Sequence, residues 1–178
     1  MKVIGILLIL LVGIGGFFLL SSMKSGGEGN TTELALNSIK EAPQISFIST
    51  EGQEISLSQF RGRVVILQAM AAWCPSCKLQ AGEVKKVFQE FQEKGLVVMS
   101  FDIQPERSTP ADLLRFQQTY GADGEWYFGF QSGFINLYGI KSLDETVIVD
   151  KNSDIIYQDS SITTAETLRN IVARALTN

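Results

Sequence analysis

The pattern of hydrophobic and polar positions alternates between strand-like and helix-like periods over most of the chain. Two short alternating runs around a glycine turn, within residues 44–57, predict a β-hairpin. The near-continuous apolar run RVVILQAM (63–70) predicts a strand that is buried on both faces of a sheet. From Cys77 to Lys94, apolar residues recur at helical spacing among Lys, Gln and Glu, which predicts a long amphipathic helix directly after this strand.

Residues 96–138 continue the alternation between strand-like and helix-like patterns. LVVMSFDI (96–103) predicts a second buried strand. Thr109 and a following proline are typical of a helix cap and of a first helical residue, so we expect a helix up to about Tyr120. For residues 121–129, which are rich in turn-forming residues, we predict an irregular connection, and for residues 133–138 a short helix.

The last third predicts a second hairpin and a final helix. The runs ETVIVD and DIIYQD, joined by a short polar turn, form the hairpin over 145–159. An amphipathic helix then begins at Thr163 or Thr164 and continues through Leu176. The order β-β-β-α-β-α-β-β-α implies an α/β sandwich in which a sheet with parallel neighbours has helices on both faces. We assign this domain to residues 42–178.

The N-terminal segment has a different character. Residues 3–20 carry no charged or hydrogen-bonding side chain, and a helix of this length spans about 27 Å, close to the thickness of a bilayer core. We therefore predict a transmembrane anchor with short flanks at 1–22, followed by a flexible linker at 23–41. A cleavable signal peptide is the alternative, although no clear A-x-A cleavage site follows. Lys2 weakly favours a cytoplasmic N-terminus, which places the domain on the extracytoplasmic side of the cell membrane.

Composition excludes several kinds of chemistry. The sequence contains no histidine, so imidazole metal sites and Ser-His or Cys-His catalytic pairs are excluded. Its two cysteines, Cys74 and Cys77, are too few for a disulfide-dense scaffold or for a four-cysteine metal site within one chain. The formal net charge of -4, without a long basic run, gives no sign of nucleic-acid binding. We expect no cofactor and no bound metal.

The two cysteines lie three positions apart where a predicted strand ends and a helix begins. A helix N-terminus directs unpaired N–H groups and positive potential at the first sulfur, which favours its thiolate form. We therefore assign Cys74 as the nucleophile of disulfide exchange and Cys77 as the resolving thiol. Pro75 suits the first helical turn, Ser76 adds a small polar group, and Lys78 adds positive charge nearby. The alternative is half of a zinc site or a metal bridge between two chains.

At these residues the chain resembles the thioredoxin superfamily, and within it the membrane-tethered TlpA and ResA type. The resemblance covers residues 42–178 and is carried by the opening APQI (42–45) and by LSQFRGRVVIL (57–67), AxWCPSC (71–77) and YGIKSLDETVIVD (138–150). It implies a thioredoxin-like three-layer sandwich, a central mixed β-sheet flanked by helices. It also implies reduction of disulfides in client proteins, such as apocytochrome c, with electrons from a membrane thiol-electron donor.

The sequence departs from this family at several positions. Asp144 stands where relatives have a cis-proline, so we expect a trans peptide bond and a reshaped client-docking edge. An acid at this place, if close to Cys74, opposes thiolate formation; a loop acid on the surface is the alternative. Gln68 and Gln80 replace acids that accept protons in relatives, and Gly82 replaces a proline that kinks the active-site helix.

Aromatic residues near the cysteines have two interpretations. Trp73 precedes the nucleophile and either flanks the sulfur on a docking surface or lies in the core. A further group either lines a client groove or packs in the core, namely Trp126, Tyr127, Phe128, Phe130 and Phe134.

Three other functions compete with disulfide exchange. A peroxiredoxin-like peroxidase is disfavoured because Ala71 occupies the position where such enzymes have a threonine. A copper chaperone of the Sco type is disfavoured because the CxxxC spacing and the histidine ligand are absent. A non-catalytic or cluster-bridging binding module remains, with the altered Asp144 loop holding a partner.

Overall fold

The computed structural model describes residues 40–178, which contain eight strands and four α-helices. The strands are β1 (Lys40–Glu41), β2 (Ser46–Ile48), β3 (Glu54–Ser56), β4 (Val65–Met70), β5 (Val97–Asp102), β6 (Trp126–Phe130), β7 (Thr146–Val149) and β8 (Asp154–Asp159). The helices are α1 (Pro75–Phe91), α2 (Pro110–Tyr120), α3 (Phe134–Tyr138) and α4 (Ala165–Thr177). Short 3-10 turns cover Leu57–Phe60 and Gln92–Lys94.

Six strands form one mixed sheet in the order β1-β8-β7-β4-β5-β6. Strands β4, β5 and β6 run parallel to one another, whereas β7 is antiparallel to both β4 and β8. Every residue of β4 and β5 is buried, as the continuous apolar runs predict for strands covered on both faces. The predicted hairpin within 44–57 is confirmed as β2 and β3, which pair with each other outside the main sheet.

Side chains alternate between two cores, one on each face of the sheet. On one face, Ile66 and Met70 of β4 belong to the same cluster as buried residues of α1, α2 and α4. On the other face, Val65 and Leu67 join the β2–β3 hairpin and α3, with Phe47 and Phe134 among the buried residues. The predicted thioredoxin-like α/β fold, with a central mixed sheet between covering layers, is thereby confirmed.

The helix boundaries follow local capping signals. Thr109 accepts a hydrogen bond from the N–H of Asp112, whose side chain accepts one in return from the N–H of Thr109, and Pro110 is the first helical residue of α2. Thr164 caps α4 through the N–H of Thr167. Both helices start where the sequence predicts.

The connection predicted at 121–129 is wrong in its second half, because β6 begins at Trp126. Gly129 resembles a turn signal in the sequence but lies inside this strand and forms a bridge with Ser49. A Cβ atom at position 129 would lie 2.6 Å from the carbonyl oxygen of Ile48, so the glycine permits the close approach of the β2–β3 hairpin. The predicted element order therefore lacks the edge strand β6.

The predicted transmembrane segment, residues 3–20, lies outside the described residues. Strand β1, which pairs with β8, occupies the last two residues of the segment predicted as a linker, 23–41. Among residues 40–178, no helix is both long and apolar enough to span a bilayer.

Candidate active site

The two cysteines lie at the carboxyl end of β4, where the chain turns into α1. Cys74 is the N-cap residue of α1 with an extended backbone, and Pro75 is its first helical residue. Cys74 and Cys77 form a disulfide, with their Cα atoms 5.4 Å apart. The local signals of the sequence, a buried strand followed by a proline-initiated helix, are thus sufficient to place both sulfurs at the helix N-terminus.

The environment of the Cys74 sulfur differs from that of Cys77. The Cys74 Sγ accepts a hydrogen bond from the N–H of Cys77 at 3.3 Å, and the Ser76 hydroxyl oxygen lies 3.2 Å from it. Cys74 is 3% exposed, whereas Cys77 is fully buried. The less completely buried cysteine is therefore the one whose sulfur receives hydrogen bonds able to stabilise a thiolate.

The loop before β7 contacts the disulfide from the opposite side. The carbonyl oxygen of Leu143 lies 3.2 Å from the Cys77 Sγ. Asp144, half-buried, is the next residue, and all peptide bonds of the described residues are trans. The loop thus brings the backbone preceding Asp144, rather than a proline ring, against the resolving cysteine.

Glu145 holds this loop in place, and the sequence analysis missed it. The residue is 1% exposed. Its Oε2 accepts hydrogen bonds from the N–H groups of Lys141 at 2.6 Å and Ser142 at 3.2 Å. Its Oε1 accepts one from Gln158 Nε2 at 2.7 Å. A glutamate directly before the mainly apolar strand β7 was the available signal, because such a position is covered on both sides when the strand is central.

Asp102 is a second buried carboxylate that sequence reasoning missed. It is the last residue of β5 and is fully buried. Its two oxygens accept hydrogen bonds from the N–H groups of Ala72 at 2.9 Å and Gln104 at 3.0 Å. Because β4 and β5 are parallel, their carboxyl ends meet at one edge of the sheet, and this topology was the signal. Asp102 fixes the backbone two residues before Cys74.

Gln68 and Gln80 are both buried. Gln68 accepts a hydrogen bond from the Ser100 hydroxyl at 3.0 Å, and Ser100 in turn accepts one from the indole N–H of Trp126. Gln80 pairs with the backbone of Thr163: its Oε1 accepts from the N–H at 2.7 Å and its Nε2 donates to the carbonyl at 3.3 Å. Gln80 therefore joins α1 to the start of α4 as a structural residue.

Trp73 lies at the surface next to the nucleophile. It is 38% exposed, and the guanidinium carbon of Arg107 lies 3.7 Å from its ring centroid. This position agrees with the docking-surface interpretation and not with a core role.

Helix α1 continues unbroken through Gly82, and a Cβ atom there would meet open space.

The second aromatic group belongs mainly to the core. Trp126, Phe128 and Phe134 are buried, whereas Tyr127 and Phe130 are half-buried. Trp126 and Phe128 stack with ring centroids 5.4 Å apart. Of the two interpretations, Trp126, Phe128 and Phe134 therefore follow the core one, whereas Tyr127 and Phe130 pack against the core and stay partly accessible.

Comparison with known proteins places the chain in a family. A sequence model of the AhpC/TSA family matches residues 39–158, more than half of the chain. The chain belongs to the AhpC/TSA family. Thiol-disulfide oxidoreductase ResA of Bacillus cereus is 27% identical over 165 residues, which cover 92% of this chain and 89% of that protein.

Solved structures agree with this family at the level of the fold. A thioredoxin-like protein from Aeropyrum pernix matches with a TM-score of 0.63 and 26% identity, over 80% of this chain and 94% of that one. A thiol:disulfide interchange protein DsbE from Chlorobium tepidum, described as putative, matches with a TM-score of 0.65 and 22% identity, over 78% and 96%. The predicted resemblance to the TlpA and ResA type is confirmed, and so is the prediction of a thiol-disulfide oxidoreductase.

The peroxidase and the metal-binding alternatives gain no support from the described part of the chain. Ala71, at the position where a threonine is expected in a peroxiredoxin-like peroxidase, is buried and has no hydroxyl group. Among residues 40–178, no group of three or more Cys, Asp or Glu side chains is placed to bind a metal ion.

Proposed function

We propose that this protein is a membrane-tethered, extracytoplasmic thiol-disulfide oxidoreductase that reduces disulfides in client proteins. The observation that carries this proposal is the Cys74–Cys77 disulfide at the N-terminus of α1, with Cys74, the less completely buried cysteine, as the N-cap residue. The disulfide form is the oxidised state, so the working cycle starts when a thiol donor reduces it.

The exchange proceeds in two substitutions at sulfur. The Cys74 thiolate attacks one sulfur of the client disulfide; a Cys74–client disulfide forms, and the other client sulfur leaves as a thiolate that takes a proton. Cys77 then loses its proton and attacks the Cys74 Sγ, which breaks the mixed disulfide and releases the second client thiol. The client gains two electrons and two protons, and the Cys74–Cys77 disulfide is restored.

The hydrogen bonds around Cys74 favour the reducing direction. Its sulfur receives them from two neutral groups, the Cys77 N–H and the Ser76 hydroxyl. Strong oxidants of this chemistry owe their potential to a highly stabilised thiolate in the reduced form. Stabilisation by neutral donors is weaker than by a charged group, which supports a potential nearer to that of a reductant.

The proposal also covers where the protein lies in the cell and which clients it reduces. The apolar run at 3–20 supports a single-pass anchor, with the domain outside the cytoplasmic membrane. There a membrane thiol-electron donor resupplies electrons, and clients such as apocytochrome c present disulfides to Cys74. The resemblance to ResA-type proteins supports this client class.

A trapping experiment tests the assignment of the two cysteines. The full chain carrying Cys77→Ser, expressed in cells, forms a disulfide with its client that nothing resolves, so a band of higher mass on a non-reducing gel collapses on reduction. Cys74→Ser is the matched control and traps nothing, because it lacks the attacking sulfur. Trapping through Cys77 instead, or by neither variant, contradicts the proposal.

A further inference from the structure

A polar groove opens beside the active site, between the start of α1 and the face of α2. It has a volume of about 340 Å³. Trp73 and Lys78 border it on the side of the cysteines, Arg107 and Ser108 come from the loop before α2, and Arg115 comes from α2 itself. Trp73 directly precedes Cys74, and Lys78 follows it by one helical turn, so the groove adjoins the nucleophile. We call it the basic groove.

Positive charge dominates the lining of the basic groove. It contains three cationic side chains, Lys78, Arg107 and Arg115, and one acid, Asp112. Hydrogen bonds from the side chain and backbone of Thr109 hold the pKa of Asp112 below its usual value, and Arg115 pairs with it at 3.4 Å. The groove thus has a local excess of positive charge in a chain whose formal net charge is -4.

Two further contacts make the groove a preformed surface. The guanidinium carbon of Arg107 lies 3.7 Å from the ring centroid of Trp73, and its Nη1 donates a hydrogen bond to the Gln104 Oε1 at 3.4 Å. The guanidinium group has further N–H donors, which are suited to pairing with carboxylates.

We propose that the basic groove binds an acidic segment of the client polypeptide that flanks the disulfide presented to Cys74. This inference rests on the proposed function and adds a specificity for clients with acidic flanking residues. Carboxylates of the segment pair with Arg107 and Lys78, while its disulfide lies over the start of α1. The groove selects clients by charge complementarity, which acts mainly on the rate of encounter and the orientation of the partner.

Two matched peptides measure this preference. Both contain the same intramolecular disulfide, and they differ only in the flanking residues, which are glutamates in one and lysines in the other. The full chain in detergent is reduced, and the rate constant for peptide reduction is measured at low ionic strength. We expect the acidic peptide to react at least about fivefold faster than the basic one, as one exposed ion pair of up to about 1 kcal/mol implies.

Charge-reversal variants locate the effect. Lys78→Glu combined with Arg107→Glu inverts the preference, whereas Lys78→Gln combined with Arg107→Gln abolishes it. The ratio of the two rates is the readout, so a change in the intrinsic reactivity of Cys74 cancels. Arg61→Glu combined with Lys94→Glu is the matched control with the same charge change. Arg61 and Lys94 are exposed and precede the starts of β4 and β5, at the opposite end from the cysteines, so the ratio stays as in the unmodified chain.

The outcomes separate this inference from the proposed function. The inference about the basic groove is overturned by equal rates for both peptides. It is also overturned if Arg61→Glu combined with Lys94→Glu shifts the preference as much as the groove variants do. A preference that survives at about 1 M salt also overturns it, because exposed charges are screened there. If neither peptide is reduced at any ionic strength, the proposed function fails instead.

Discussion

Glu145 shows how a single buried carboxylate shapes the active site. It accepts hydrogen bonds from the backbone of Lys141 and Ser142 and from Gln158, and so closes the loop that presents the Leu143 carbonyl to Cys77. In this chain a buried carboxylate therefore holds the loop that contains Asp144. Glu145 is a positioning residue for the resolving cysteine.

Removing this carboxylate is expected to loosen the loop. Glu145→Ala leaves several donors without their acceptor, and we expect it to lower the free energy of unfolding by about 2 kcal/mol. Glu145→Gln keeps one acceptor oxygen and recovers part of the loss. Urea unfolding checks the stability, and the reduction potential of Cys74–Cys77 checks the positioning role. A potential equal to that of the unmodified chain in both variants would show that Glu145 acts on stability alone.

At the scale of single residues, the sequence predicts the reacting cysteines but not the buried carboxylates that hold the neighbouring loops in place. Spacing and the β–α boundary are local, so Cys74, Cys77 and Pro75 are placed correctly from the sequence. The burial of Asp102 and Glu145 depends on N–H donors of loops that only the folded chain brings near, such as those of Ala72 and Ser142. A carboxylate without visible partners looks like a solvated surface group.

At the scale of the elements, long periodic segments are predictable and short edge strands are not. Helix α1 and strands β4 and β5 are found within a few residues of their predicted ends. Strand β6 was missed because its five residues include Gly129 and follow several turn-forming residues. Its strand state comes from pairing with β5 and from the hairpin packed on it, and both are tertiary effects.

Two glycines of contrasting environment test this account of the elements. Gly82 lies within α1, and a Cβ atom added there would meet open space, so Gly82→Ala should raise the free energy of unfolding by about 0.5 to 1 kcal/mol. Gly129→Ala should lower it by about 2 kcal/mol or more, because its Cβ meets Phe47 and the Ile48 carbonyl. Urea titration of both variants measures this. Destabilisation by Gly82→Ala would contradict a regular helix at this point.

For the whole molecule, paired carboxylates determine the response to acid. Glu83 of α1 accepts a hydrogen bond from the Ala165 N–H at the start of α4, at 2.7 Å. The hydrogen bonds from the Lys86 ammonium group and from Ala165 hold the pKa of Glu83 below its usual value. The Arg63 guanidinium group does the same for the pKa of Glu125. Both carboxylates therefore stabilise the fold more when they are ionised than when they are protonated.

The linkage between protonation and folding determines how the stability changes with pH. The carboxyl groups of Glu83 and Glu125 bind their protons at a higher pH in the unfolded chain than in the folded chain. Their contribution to stability is therefore fully present above about pH 4.3 and is lost as the pH falls through the lower folded pKa. We expect Glu83→Gln to be less stable at pH 7 and to lose less stability between about pH 5 and pH 3. Thermal unfolding across this range measures it. Parallel curves for the variant and the unmodified chain would contradict the α1–α4 contact.

The most direct test of the central claim is the equilibrium reduction potential of the Cys74–Cys77 pair. The full chain is equilibrated in thiol buffers of defined potential, and free thiols are alkylated and counted by mass. The account predicts a reversible two-electron couple nearer to about -270 mV, the value typical of thioredoxin, than to the value of about -120 mV found for strong oxidants. A couple near about -120 mV would contradict the reducing direction, and failure to form the intramolecular disulfide would contradict the oxidoreductase itself.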